Sequence, residues 1–277
     1  MKRPAAQQGA FHGEVQGDFA RLLEKGGVPL PRFGAGIDAG KRVEGSHELI
    51  MAHGTTVIAV KFKDGVLNVA DRRATSGSSL ILYDEAEKVL ALDDSTLIAI
   101  AGSYAQAIEA VRYLQHSFKY YARSQLQEMS LEGKLAEVSR LLSGSLPRVL
   151  QGLGGFLPVI SAYDRKQQMG RIFFYDMMGA RFETREFGAA GSGAERIRGA
   201  LEYVEQSRGP FHELSLDQAL RESLLLLEIA AKLDAATGGL GRVLPLAKTV
   251  TAEGVAEVPE TKLRAIQAEA LSAPRSD

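Results

Sequence analysis

The sequence predicts an α+β fold in which two sheets stack face to face and a helix pair covers each outer face, a four-layer α-β-β-α sandwich. Three observations predict it. The elements come in segregated runs (strands, two helices, strands, two helices, strands) rather than as alternating β-α-β units. Several strands are apolar on consecutive residues, the pattern of strands covered on both sides. The stretch 55–277 has the length of one domain.

The elements follow in order. Residues 55–62 read Thr-Thr-Val-Ile-Ala-Val-Lys-Phe, a β-rich apolar run. Asp64-Gly65 is a hairpin signal, because both central positions of a type I′ turn need φ > 0, and residues 66–70 form the return strand. Residues 88–92 and 96–101 pair around Asp93-Asp94. Ile108, Val111, Leu114, Phe118 and Tyr121 step by three or four, as do Leu131, Leu135, Val138 and Leu142, so two helices follow. Strand patterns return at 157–163, 171–175 and 181–187. A helix carrying Ile197, Leu201 and Val204 comes next. Another opens on the capping-box pattern Ser215-Leu216-Asp217-Gln218 and carries Leu220, Leu224 and Leu227. A strand pair near 249–258 and a helix over 261–271 end the pattern.

Composition narrows the function. The chain has 277 residues, 45% of them hydrophobic and 24% charged, an ordinary globular balance. A formal net charge of -1 gives no basic field for nucleic acid or an anionic membrane. With 0 cysteines there are no disulfides, thiolate zinc sites or cysteine nucleophile. Met1-Lys2-Arg3-Pro4 is basic, but no apolar core follows, so no secretory signal is expected. No apolar run approaches the roughly 18 residues of a membrane span. Residues 1–54 differ from the rest: they hold ten of the 29 glycines and only one short periodic piece, around Phe19, Leu22 and Leu23. Such sequence buries too little to offset its ordering entropy and reads as a tail.

The candidate nucleophiles are Ser, Thr, Lys or a carboxylate. There is no Gly-x-Ser-x-Gly elbow, no His-Glu-x-x-His zinc helix and no phosphate-binding loop of the Gly-x-x-x-x-Gly-Lys type. Thr55 stands where the tail meets a strand, directly after Gly54. If the Gly54-Thr55 bond is cut, the freed α-amine, with a pKa of about 7.7–8.0, can take the proton of the Thr55 hydroxyl. Glycine before the cut lets the backbone fold tightly enough for that hydroxyl to reach the preceding carbonyl. The dipeptide alone is equally an ordinary strand start, since β-branched residues favour strands.

The wider pattern resolves the choice. His53-Gly54-Thr55-Thr56-Val57-Ile58-Ala59-Val60-Lys61, followed by Gly65-Val66 and Ala70-Asp71-Arg72-Arg73-Ala74-Thr75-Ser76-Gly77, resembles the opening of proteasome β subunits of the actinobacterial type. Glu87-Lys88-Val89, Ile100-Ala101-Gly102-Ser103, Gly191-Ser192-Gly193 and Asp234-Ala235-Ala236-Thr237-Gly238-Gly239 match in the same order. The resemblance runs from about Gly54 to Glu260. It implies the N-terminal-nucleophile hydrolase fold, a propeptide over 1–54 removed by self-cleavage, and a catalytic domain over 55–277.

The same resemblance implies the roles. Thr55 is the nucleophile, Lys88 the cation beside its hydroxyl, and Asp71 the partner that orients Lys88. Ser192 and Asp234 hold the Thr55 amine, with Thr237 in support. The Gly102 N–H forms the oxyanion hole, and Thr75 and Gly102 pair with an extended substrate. Ala74, Ile100 and Tyr104 line the specificity pocket. The implied activity is a threonine endopeptidase that needs neither metal nor cofactor. The implied partners are identical subunits in stacked seven-membered rings, proteasome α subunits, an ATP-dependent unfoldase and protein substrates, in the cytoplasm. Two related readings fit less well. A two-ring heat-shock threonine peptidase lacks a long propeptide, and non-catalytic ring subunits lose the nucleophile or the lysine.

Three departures stand out. The interval from Gly77 to Lys88 is one residue longer than the actinobacterial pattern, the connection at 209–215 is longer, and Tyr104 replaces a small residue. Counted without a gap, Glu87 would take the lysine position. A carboxylate there would oppose the alkoxide and face Asp71, so the charge assigns the position to Lys88.

Overall fold

The computed structural model describes residues 55–76, 80–151 and 154–272. Residues 1–54, which the sequence reading expects to be a propeptide ending at Gly54, and the turn at Gly77 lie outside the described residues. The first half of the chain forms β1 (Val57–Phe62), β2 (Gly65–Ala70), β3 (Ala74–Ser76), β4 (Leu80–Tyr83), β5 (Val89–Asp93) and β6 (Thr96–Gly102), then α1 (Tyr104–Gln125) and α2 (Leu131–Leu150). The second half forms β7 (Phe156–Asp164), β8 (Met169–Tyr175), β9 (Arg181–Thr184) and β10 (Phe187–Ala190), then α3 (Ala194–Arg208) and α4 (Leu216–Leu233), and finally β11 (Leu246–Thr251), β12 (Gly254–Glu257) and α5 (Glu260–Ser272).

One antiparallel sheet runs β10-β1-β2-β11-β12 and the other β5-β6-β7-β8-β9, with β3 and β4 as a separate hairpin. Strand alternation sorts the apolar residues into three layers. Val57 and Ala59 face between the sheets, with Val66, Leu97, Val159, Ile172 and Val250. Ile58, Val60 and Phe62, from the same strand, face out onto α3, α4 and α5 through Leu201, Leu224, Leu227 and Ile266. Ile98, Ile160 and Phe173 face out onto α1 and α2 through Leu114, Phe118, Leu135 and Leu142. That is the four-layer sandwich expected from the order of elements.

Ser215 caps α4 with the full capping box: its hydroxyl accepts from Gln218 N at 3.3 Å, and Gln218 Oε1 accepts from Ser215 N at 2.9 Å. The longer connection before it is built around Phe211, which is fully buried in a short 3₁₀ turn and meets Phe187 edge to face at 5.7 Å.

Two expectations need correction. Residues 181–187 are two strands in different sheets: β9 pairs with β8, whereas β10 pairs with β1. The chain crosses between sheets at 185–186, where Glu186 is pinned by His212 through its ring nitrogen at 2.8 Å and its backbone N at 3.0 Å. The β3–β4 hairpin was also not foreseen, because Ile81, Leu82 and Tyr83 are all exposed and show no core-facing alternation.

Candidate active site

The ends of four strands converge at one edge of the sandwich. Thr55 and Thr56 lead into β1; Ala70 and Ala190, which end β2 and β10, pair with Val57 on either side. Asp71 follows β2 directly. Its N donates to Thr56 O at 3.1 Å, and Thr56 N donates to Asp71 Oδ1 at 2.7 Å. This reciprocal pair fixes the head of β1 onto Asp71.

The Asp71 carboxylate is buried and fully engaged. Besides Thr56 N, Oδ1 accepts from Lys88 Nζ at 2.9 Å, and Oδ2 accepts from Arg73 N and Gly238 N, both at 3.0 Å. Three backbone donors and one ammonium satisfy a charge that would otherwise be costly to bury. Lys88 is only 2% exposed. Its ammonium also donates to Arg73 O at 2.5 Å. Burial pulls the Lys88 pKa below the ordinary lysine range, and the charge of Asp71 and its hydrogen bond pull against that. Lys88 immediately precedes β5, and its carbonyl still accepts from Ile100 N at 2.9 Å, which carries the β5–β6 ladder one residue further. Glu87 is exposed and pairs with Lys248 at 2.5 Å. Adjacent residues on extended backbone face opposite ways, and here the lysine is the one turned inward.

A second network approaches from the other side. Ser192 Oγ donates to Asp234 Oδ2 at 2.5 Å, and Thr237 Oγ1 donates to the same oxygen at 2.6 Å. Thr237 Oγ1 lies 2.7 Å from Thr56 Oγ1. Because the Thr237 proton is committed to Asp234, the Thr56 hydroxyl is the donor between those two. The two networks therefore meet at Thr56, one through its amide and one through its hydroxyl.

The glycines set the spacing. Gly191 has φ +103, and a Cβ there would lie 1.9 Å from Thr55 O; a Cβ on Gly193 would lie 2.1 Å from Thr56 Oγ1. The Gly-Ser-Gly turn thus presses bare backbone against the Thr55-Thr56 step, a fit open only to glycine. Gly102 ends β6 at φ +110, where a Cβ would meet Gly155 O at 2.5 Å.

The predicted residues fall into two groups. Thr55, Asp71, Lys88, Ser192, Asp234 and Thr237 surround the head of β1. Gly102 and Ile100 lie along β6, the strand that pairs Lys88. Ile100 is buried in the layer beneath α1, and Tyr104, half-buried at the start of α1, packs on the same layer; Ala74 stands outside it on β3. Thr75 is buried on β3. Two contributors were missed. Thr56 links both networks, but a second threonine reads as strand filler. Arg73 donates from its guanidinium to Ala235 O at 3.2 Å and Thr237 O at 3.4 Å, and pairs with Asp84 at 3.4 Å. Its only signal was its place two residues after Asp71, where an Arg-Arg step suggests a solvated turn. Among the described residues no group of acidic or histidine side chains could hold a metal ion, and no helix is long and apolar enough to cross a membrane.

A two-sheet sandwich covered by helices on both faces, with a threonine heading the first strand over a buried Asp–Lys pair, defines an N-terminal-nucleophile hydrolase architecture. A family model described as proteasome subunit matches residues 51–244, so the chain belongs to the proteasome subunit family. Proteasome subunit beta 2 of Thermomonospora curvata is 36% identical over 236 residues, 84% of this chain and 82% of that one. Proteasome subunit beta of Acidothermus cellulolyticus is 36% identical over 228 residues, 80% and 76% of the two chains. Proteasome subunit beta of Stackebrandtia nassauensis is 33% identical over 267 residues, covering 94% and 89%.

Proposed function

We propose that this β-type subunit is a threonine endopeptidase, activated by cleavage of its own Gly54-Thr55 bond. The observation that carries the reading is the buried Lys88–Asp71 pair bonded to the head of β1, with Lys88 Nζ 2.9 Å from the carboxylate. A subunit kept only as ring scaffold has no need of a buried ammonium there. In the cleaved form the Thr55 amine takes the hydroxyl proton, and Thr55 Oγ1 attacks the scissile carbonyl. Lys88 stabilises the developing alkoxide, Asp71 keeps it charged and aimed, and the Gly102 N–H receives the oxyanion. The amine returns its proton to the leaving nitrogen, and water then hydrolyses the ester. Ser192, Asp234 and Thr237 orient the amine. Thr75 and Gly102 pair with the substrate backbone, while Ala74, Ile100 and Tyr104 shape a mostly apolar pocket.

The subunit works in the cytoplasm, within paired seven-membered rings flanked by α subunits and an unfoldase that delivers unfolded protein. Intact mass after co-assembly with α subunits tests the reading: a chain beginning at Thr55 is expected, and another mature start overturns it. Thr55→Ala is expected to keep residues 1–54 attached and to abolish peptidase activity.

A further inference from the structure

Thr56 is fully buried, and the strand start it occupies could be filled as well by valine. Its hydroxyl is therefore the part that asks for a reason. Thr56 continues the face of β1 that carries Ile58 and Val60 onto the helix layer, while Thr55, one step back, falls on the opposite face with Val57. The Thr56 side chain thus turns toward the ends of two helices: the Gly191-Ser192-Gly193 turn that opens α3, and Asp234, which caps the C-terminus of α4.

Two chains of bonds start from this residue. Its amide shares Asp71 Oδ1 with the Lys88 ammonium, at 2.7 and 2.9 Å. Its hydroxyl donates to Thr237 Oγ1 at 2.7 Å; Thr237 donates onward to Asp234 Oδ2 at 2.6 Å, where Ser192 Oγ also arrives at 2.5 Å. A hydroxyl rotor left alone can turn its single proton to any acceptor. The proton from Thr56 occupies the acceptor side of Thr237 and so keeps the Thr237 proton on Asp234. Gly193 closes over this bond with bare backbone: a Cβ there would lie 2.1 Å from Thr56 Oγ1 and 2.8 Å from Thr237 Oγ1.

We propose that Thr56 is a positioning residue for turnover, its amide aiming the cation through Asp71 and its hydroxyl aiming the base through Thr237 and Asp234. The inference rests on the reading of the Thr55 amine as that base. One residue, next in the chain to the nucleophile, then sets the spacing between the group that takes the proton and the group that stabilises the alkoxide.

The test co-assembles the native chain, Thr56→Val and Thr56→Ser with α subunits, then measures intact mass and the hydrolysis of a fluorogenic peptide. Thr56→Val keeps the branched shape and the amide bond to Asp71 and removes only the hydroxyl. Before self-cleavage the Thr55 nitrogen is an amide with no basicity, so the hydroxyl relay has no amine to aim. All three chains are therefore expected to mature to Thr55. In turnover, kcat of Thr56→Val is expected to fall about tenfold, with KM within about twofold of native, as for a lost alignment rather than lost substrate binding. Thr56→Ser restores the hydroxyl and is expected to return kcat close to native. Thr237→Val cuts the same relay, so adding Thr56→Val to it is expected to cost nothing further. A native kcat in Thr56→Val, a loss that serine does not rescue, or additive losses in the double variant overturns the proposal. So does a Thr56→Val chain that keeps residues 1–54, which would place the hydroxyl in folding instead of turnover. A native assembly that matures to another residue or hydrolyses nothing sinks the reading of Thr55 itself, and the inference with it.

Discussion

Lys88 and Glu87 are neighbours with opposite surroundings, and that contrast is the sharpest residue-scale test of the site. Lys88 donates to Asp71 and to Arg73 O, whereas Glu87 reaches out to Lys248. Lys88→Ala removes a cation that nothing else supplies, and peptidase activity and self-cleavage are expected to fall on the order of a hundredfold or more. The fold should survive, because Asp71 keeps three backbone donors. Glu87→Ala is expected to leave both activities within about twofold, since an exposed ion pair is worth only ~0–1 kcal/mol. Peptide hydrolysis and propeptide retention measured on both variants decide the matter; the reverse pattern removes Lys88 from the mechanism. This choice was legible in the sequence because only one charge sign suits an alkoxide. Arg73 was not, because an arginine's use for backbone carbonyls at 235 and 237 depends on a contact that no local pattern encodes.

At the scale of elements, the same substitution is expected to have opposite signs at two glycines. Gly191 sits in the turn from β10 to α3 at φ +103, with its α-carbon against the Thr55 carbonyl. Gly191→Ala combines backbone strain of about 1–3 kcal/mol with displacement of Thr55. It is therefore expected to destabilise the chain and to abolish self-cleavage. Gly199 lies within α3, where an added Cβ meets nothing within 4 Å. Gly199→Ala should stabilise by about 0.5–1 kcal/mol through helix propensity, with activity unchanged. Urea midpoints and propeptide retention check both; a stabilising Gly191→Ala would contradict the contact geometry. Element types were legible wherever a period ran long, as in α1 and α4. The switch between sheets at 185–186 was not, because Phe182 to Phe187 stays strand-like in composition while its hydrogen-bonding partners change. Nothing local in a strand says which sheet it joins.

At the scale of the whole molecule, the order of layers followed from the segregated runs of strands and helices, but the division of labour between the two ends of the sandwich did not. One end carries the Thr55 networks. The other is held by charges that staple three strands: Arg171 on β8 pairs with Asp164, the last residue of β7, at 3.1 Å and with Glu183 on β9 at 2.6 Å. The hydrogen bond from Arg171 is the main reason the Glu183 pKa lies below the ordinary 4.5. Burial pushes Asp164 upward, but hydrogen bonds from Gln167 N, Arg171 and Lys166 N together bring it below the ordinary 3.8. Both carboxyls are thus more acidic folded than unfolded. Their stabilisation is complete above the ordinary values and is lost as pH falls through the lowered ones. Arg171→Leu removes the cation shared by both, so the variant should be less stable than the native chain near pH 7. As the medium is acidified below about pH 3.8, the native chain loses that advantage and the gap should narrow. It should not close, because Arg171 also lies over the Phe173 ring at 4.9 Å, a contact that does not titrate in this range. Urea midpoints of both proteins at pH 7 and pH 3 measure the two gaps, and a gap of equal size at both would show that the staple contributes through packing alone.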